Sequence, residues 1–412
     1  MQNCAKRPTI KSLLPALLLA SSTSAFAAKE ELPDNRTPLV LDFTTATYLP
    51  GENGVLVAGL HGLLGTLQVS ESGEATLKKF EADENIDFTT VEKFTDSEVL
   101  LGSSTGHIFL FDGKSKPADL GKITEFEEPV LDIAVSNGQA WAVGARGMLA
   151  KSADGKKWEV VTISEITQPE IKLPATNASE WYFGVSNLLA DTVKLNATKG
   201  GAPLVADTDY TLYPDEGFIQ IANDLDAEPA PSIAFKFQPG PAFKIGDVSW
   251  NVVMFDGQNV TLAGEFGMIV QSTDGGQSWT RRDAVLTPKE PEQPYWITGT
   301  NQGNNMLLVG AAGAVHKSVD GGVTWNRLPA PSAEGLFGVT MLPDGTPAVA
   351  GAVGMIGLYQ GEKWELADRT KLQLLSWLKN PVAMPDGSLL LLGGRQTVIR
   401  YKDGAWSRVT VK

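Results

Sequence analysis

One phrase recurs along this chain: a short apolar run, a turn of small residues, and a second apolar run. In three copies the second run leads into a box, Ser-x-Asp-Gly, closed by Trp. The fullest copies are KSVDGGVTW (317–325) and QSTDGGQSW (271–279), with a shortened one, KSADGKKW, at 151–158. The turns themselves read AGLHG (58–62), GSSTG (102–106), VGARG (143–147), AGEFG (263–267), VGAAG (309–313), AGAVG (350–354) and GGRQT (393–397). They are spaced 41 to 46 residues apart, except for one interval of 120. Self-similarity at such a period means that a unit cannot bury its own apolar face and must stack on its neighbours.

Each period offers four strand-like runs. In the fourth copy these are VSWNVVMF, then VTLA before the turn, MIVQS after it, and WTRR starting at the Trp. The runs are only four to eight residues long, and 42 Gly and 24 Pro interrupt any helical pattern. Four short antiparallel strands per period make a propeller blade. The expectation is therefore an all-β chain folded as a seven-bladed β-propeller, with blades 1–3 over 37–164 and blades 4–7 over 246–412. The long interval adds a small β-sandwich-like insertion between blades 3 and 4, over 165–245, whose segments EWYFGVS, TVKLNAT, DYTLY, GFIQIA and SIAFKF alternate as strands do. It joins the outermost strand of one blade to the innermost strand of the next, on the side of the small-residue turns. It is accordingly expected to overhang one mouth of the central channel.

Residues 1–27 read as an export signal: Lys6, Arg7 and Lys11, then a short apolar stretch, then Ala25-Phe26-Ala27 before a cut at Ala28. The stretch is too short to span a bilayer. The expected mature protein is soluble, monomeric and extracytoplasmic, in the periplasm of a bacterium. The one cysteine, Cys4, falls inside the signal, leaving no thiol for a disulfide or a metal and none at the cleavage site for a lipid anchor. The whole chain carries a formal charge of −14, and without the three basic residues of the signal it carries −17. That balance argues against nucleic acid as a partner.

The boxes read as structural: Ser152, Asp154 and Trp158; Ser272, Asp274 and Trp279; Ser318, Asp320 and Trp325. The carboxylate can accept amide hydrogen bonds within its own turn, Gly supplies positive φ, and Trp packs between blades. Worn copies such as SESGEATL (70–77), YQGEKW (359–364) and YKDGAW (401–406) keep the hairpin without the full box. Since boxes in separate blades cannot converge on one substrate, they carry no catalysis.

At these residues the chain resembles the Asp-box (bacterial neuraminidase repeat) propellers, and among them the photosystem II stability/assembly factor family. The shared phrase is G-x-x-G-x-[apolar]-x-x-S-x-D-G-G-x-x-W, and the resemblance covers 37–164 and 246–412 but not the insertion. It implies an exported seven-bladed propeller that acts without catalysis and without a cofactor, holding a protein partner while a membrane or envelope complex is assembled. An exporter would be the client where no photosystem exists, and membrane association would be peripheral, through that partner.

A sialidase-like hydrolase or glycan-binding protein on the same scaffold is the alternative. Sialidase chemistry needs an arginine triad, and here Arg281, Arg282, Arg327 and Arg408 fall beside Trp on outer strands. Arg146, Arg395 and either Arg36 or Arg369 would have to supply it, and Arg36-Thr37-Pro38 only echoes the sialidase Arg-Ile-Pro start. The histidines His61, His107 and His316 have no partners at metal-ligand spacing. Neither a Gly-x-Ser-x-Gly elbow nor a phosphate loop is present. The candidate partner-binding residues are the charged, polar and aromatic tips of the turns: His61, Arg146, Glu265, Phe266, Arg395 and Gln396. Trp181-Tyr182-Phe183 offers a possible sugar or protein platform on the insertion.

Overall fold

The strands that line the centre of the molecule are Phe43–Leu49, Phe88–Lys93, Val130–Ser136, Trp250–Asp256, Trp296–Gln302, Leu336–Met341 and Leu378–Ala383. Each contacts the next in this order, and the last contacts the first, so the ring closes. Behind each of them three further antiparallel strands follow in sequence; four of these four-stranded blades are separate sheets, the first and last join in one eight-stranded sheet, and the fourth is widened to seven strands by the insertion. The structure is a computed structural model that describes residues 42–50, 54–173, 179–221, 224–239, 248–282 and 294–412. The expected export signal (1–27), Arg36 and a possible edge strand at 38–41 lie outside the described residues. All described residues belong to the compact unit Val40–Lys412, and they contain no α-helix.

The second strand of each blade is buried along its whole length, as in Gly54–Gly59 (GVLVAG) and Leu389–Gly393 (LLLLG), or from its second residue on, as in Gln139–Gly144, Asn259–Gly264 and Asn305–Gly310. Both faces of each sheet are covered by neighbouring blades, so these strands are continuous apolar runs and not alternating ones. The core is a set of seams, each shared by two consecutive blades.

A one-residue bulge follows the first residue of every innermost strand. Bulges re-aim a side chain, and here three of them reach the next blade. The Thr44 hydroxyl donates to the Phe88 carbonyl at 2.7 Å, the Thr89 hydroxyl donates to the Val130 carbonyl, and Asn251 Nδ2 donates to the Trp296 carbonyl at 2.6 Å.

The last blade is complete in itself, ending on Ala405–Val411 paired antiparallel with Val398–Lys402. That final strand then runs parallel to the outer strand of the first blade, Glu74–Lys79. The Thr410 amide donates to the Gly73 carbonyl at 3.0 Å and the Lys412 amide to the Ala75 carbonyl at 2.9 Å. Last and first blades are thus joined by main-chain bonds as well as by side-chain packing.

The insertion departs from its expected position. Its strand Ile166–Lys172 runs parallel to the outermost strand of the fourth blade, Thr280–Arg281, and Ser232–Phe237 and Lys194–Asn196 extend the same sheet outward. A three-stranded sheet, Glu180–Tyr182, Phe218–Ile221 and Tyr210–Tyr213, supplies a second layer. The insertion therefore grows radially from the rim of the fourth blade, on the side away from the channel. The reason is burial: Phe183, Ile219, Ile233, Phe235 and Phe237 form one core with Trp141, Leu262 and Trp279 of blades 3 and 4. An overhanging module would have left that apolar face wet. Arg281, 3% exposed, ties the two parts by donating from Nη1 to the Phe183 carbonyl at 2.7 Å.

Candidate functional site

The small-residue turns share one backbone. The second residue after the opening glycine is left-handed in six of them: His61 (φ 54°), Arg146 (54°), Phe266 (55°), Ala312 (52°), Val353 (52°) and Arg395 (57°), the last followed by left-handed Gln396 where the others have glycine. For a side chain other than glycine this region is strained, most of all for β-branched Val353. In the second blade Thr105 is not among the positive-φ residues and only Gly106 takes positive φ. The glycine that opens every turn but the second, where Ser103 stands, is pressed against the chain entering its own blade. A Cβ on Gly264 would lie 1.9 Å from the Ser249 carbonyl oxygen, and one on Gly393 would lie 2.1 Å from that of Trp377. Close approach and turn geometry account for the repeated glycines, so they are no phosphate cradle.

Three of the strained amides are held by the following blade. The His61 amide donates to Asp87 Oδ1 at 2.8 Å, the Arg146 amide to the Ser249 hydroxyl at 3.4 Å, and the Arg395 amide to Asp42 Oδ1 at 2.7 Å. Asp87, Ser249 and Asp42 each stand one residue before an innermost strand, and the last contact again joins the seventh blade to the first. With these amides pinned, the side chains of His61, Arg146 and Arg395 stand exposed on this face, as does that of Phe266 at 52%. Glu265 and Gln396 are only partly exposed. Glu265 braces its own blade, since its Oε2 accepts the Ser249 amide at 3.1 Å.

On the opposite face the boxes close on themselves. Asp274 Oδ1 accepts the amides of Gln277 (3.0 Å) and Ser278 (2.9 Å) and the Ser272 hydroxyl (2.7 Å), while its Oδ2 accepts the Ser278 hydroxyl at 2.6 Å. Asp320 repeats this with Thr324 and Ser318. Both carboxyls are held down to about 2, chiefly by the hydroxyls of Ser278 and Thr324. Asp154 accepts the Lys156 and Lys157 amides. Trp279 is 4% exposed and meets Trp141 of the preceding blade edge-to-face at 6.3 Å, while Trp158 and Trp325 pack partly buried into the seams with the blades before theirs. Asp112 makes the same turn, accepting the Lys114 and Ser115 amides, although its neighbours contain neither the Ser nor the Trp of the box. Only the Asp-Gly pair could have flagged it.

A third group was not foreseen. Glu92, Asp132 and Lys379 project from innermost strands of blades 2, 3 and 7, partly open to the channel but otherwise enclosed by protein. Burial, with repulsion from Asp132, pushes the Glu92 carboxyl up to about 8. Asp132 is pushed up to about 7 by burial, against the Val253 and Ile133 amides that pull it down. Burial lowers the Lys379 ammonium below its ordinary range, and Asp132 opposes that. Because an innermost strand alternates polar and apolar residues like any surface strand, only ring closure reveals that these charges share a confined space.

Of the arginines a sialidase triad would need, Arg36 lies outside the described residues. Arg146 and Arg395 sit on turns of blades 3 and 7, with at least two blades between them in either direction round the ring. Arg369 is paired with Glu334 at 2.9 Å. On the insertion, strand alternation buries Trp181 and Phe183 and leaves Tyr182 outward beside Phe218 and Tyr213. These three rings stack on one another, with Phe218 4.3 Å from Tyr213 at 8° and 5.1 Å from Tyr182 at 25°. Phe218, between the two tyrosines, thus has both ring faces covered, and each tyrosine has one face covered by it. His107 pairs with Asp119 at 2.9 Å and His316 lies against Trp296, and among the described residues no cluster has metal-ligand character.

Comparison with known proteins follows the same lines. The family model described as photosynthesis system II assembly factor YCF48 matches residues 204–346. That span begins inside the insertion, which the sequence resemblance had left out, and runs through blades 4 and 5 into blade 6. The photosystem II assembly lipoprotein Ycf48 of Synechococcus sp. (strain CC9902) is 50% identical over 44 residues, 11% of this chain and 13% of that protein's length. The solved structure of YCF48 from Cyanidioschyzon merolae superposes with a TM-score of 0.53 at 12% identity, covering 89% of this chain and 97% of that one. A structure of YCF48 bound to D1 peptide matches with a TM-score of 0.39 at 18% identity, covering 68% of this chain and 66% of that one. The family match and the curated relative support a photosystem II assembly factor-like protein, and the Cyanidioschyzon merolae structure supports the β-propeller fold. No helix among the described residues is long and apolar enough to cross a membrane.

Proposed function

We propose that this propeller is a non-enzymatic scaffold that holds a protein partner on the face carrying the small-residue turns, and so assists assembly or stability of a membrane or envelope complex. The observation that supports it most is the construction of that face. The strained amides of His61, Arg146 and Arg395 are pinned to the next blade, and the charged and aromatic side chains of Arg146, Phe266 and Arg395 are left outward on the ring. Exposed Arg and aromatic residues on a pre-organised frame suit protein recognition, because little side-chain or loop entropy is lost on binding. The relatives are named for photosystem II assembly, and the family match adds that class of client to the reading. In a cell without a photosystem the client is an envelope complex such as an exporter. The signal at 1–27 would deliver the chain to the periplasm.

The test is the double reversal R146E/R395E in the full chain. Both side chains are exposed, so the melting temperature should stay that of the parent while recovery of membrane-complex subunits by proximity labelling in the native cell falls strongly. An unchanged set of labelled subunits would overturn the assignment of this face.

A further inference from the structure

Beside Arg146 the same face opens into a groove of about 740 Å³. Its walls come from the segment linking blades 2 and 3, the turn of the third blade, that blade's exit through Val160 and Ile163, and Trp250 of the fourth. The lining is mostly apolar, and two of its rim residues, Phe126 and Val160, are 60% and 58% exposed. Large apolar side chains this exposed round one concavity mark a surface that is covered in use.

Two features restrict what can cover it. The first is Glu128 in the groove wall, 4% exposed. One of its oxygens accepts the Thr124 hydroxyl, while Oε1 has no hydrogen-bond partner. A carboxylate oxygen left unsatisfied in an apolar wall is costly, and a donor brought by a ligand removes that cost. The second is the sheet edge. The outer strand of the third blade, Glu159–Val160, is the last of its sheet. The corresponding edge of the fourth blade is taken by the insertion, and those of the first and seventh blades by each other. An edge beside an apolar groove suits addition of an extended chain, whose main chain pairs while alternate side chains fill the groove.

We infer that the groove takes an extended segment of the partner protein in which aliphatic residues flank one lysine or arginine, the cation meeting Glu128. The acidic balance of the chain, −14, favours approach of such a segment. The inference rests on the partner-binding reading of this face and names what is recognised there.

The probe is an array of blocked octapeptides alternating valine and serine, with a single lysine moved through each position, beside arrays carrying norleucine or glutamate instead. Binding to the full chain is read by fluorescence anisotropy. The best lysine peptide should bind about tenfold tighter than its norleucine counterpart, and the glutamate peptide weakest. Glu128→Gln should bring lysine down to the level of norleucine, and Val160→Asp, a rim change that leaves the core intact, should weaken binding of every peptide. The inference fails if no lysine peptide outbinds its norleucine counterpart, or if Val160→Asp binds the array as the parent does. If membrane-complex subunits are lost in R146E/R395E but kept in Val160→Asp, the face is right and the groove is wrong.

Discussion

The two faces of the propeller are built from turns of similar length, but their polar groups are satisfied in opposite ways. On the box face each carboxylate spends its hydrogen bonds inside its own hairpin, as Asp274 does with Gln277 and Ser278, and the Trp beside it sinks into the seam. On the turn face the amides of His61, Arg146 and Arg395 are captured by the next blade, and the side chains they carry are left outside. Self-contained turns hold a blade together, whereas captured turns hold the ring together and leave their tips available.

The largest test of that contrast is Trp279→Ala. Emptying a buried indole from the seam of blades 3 and 4 should cost about 3–5 kcal/mol by denaturant titration, while Phe266→Ala on the other face should change stability by less than about 0.5 kcal/mol. Comparable losses would erase the distinction. The buried channel acid comes next. Because the Glu92 carboxyl is raised to about 8, the folded chain holds a proton there that the unfolded chain has released. The stabilisation is complete below the ordinary glutamate range and is lost as pH climbs toward 8. Glu92→Gln should therefore melt within a degree or so of the parent at pH 5 and clearly above it at pH 8 to 9. Parallel pH profiles of the two proteins would refute it.

Smaller in size is Val353→Gly. Glycine at a left-handed position relieves about 1–2 kcal/mol of strain and returns part of it as chain entropy, so the variant should equal or slightly exceed the parent. A loss above about 1 kcal/mol would mean that this tip is packed, not presented. The smallest effect belongs to the box carboxylates. Asp274 and Asp320, held down to about 2, add stability that is present above the ordinary aspartate range and lost as pH falls toward 2. Asp320 is exposed and Asp274 half-exposed, so both are screened. The double variant D274N/D320N should show a shallower fall between pH 4 and pH 2, read by tryptophan fluorescence.

Much of this contrast is visible in the residues. The boxes and the glycine turns announce themselves because backbone geometry admits few residue types there, and their period sets the order of the blades. Glu265 illustrates what stays hidden. Between two glycines it reads like Arg146, yet its carboxylate turns back on the Ser249 amide sixteen positions earlier. Asp42 and Arg395 meet across 353 positions, and nothing in either neighbourhood signals it. Glu128 looked like one more charge in an acidic run until the fold buried it.

By itself the sequence determined the all-β class, the four-stranded unit, its turns and the place where an extra module interrupts the series. These are local matters of period, positive φ and strand alternation. Only the tertiary structure decided where that module goes, because the apolar face of the insertion had to be buried against the rim of blades 3 and 4 and not over the channel. The same holds for the closing strand pair of the seventh and first blades, the enclosed Glu92, Asp132 and Lys379, and the groove beside Arg146. Each depends on which distant surfaces exclude water together, and no local pattern encodes that.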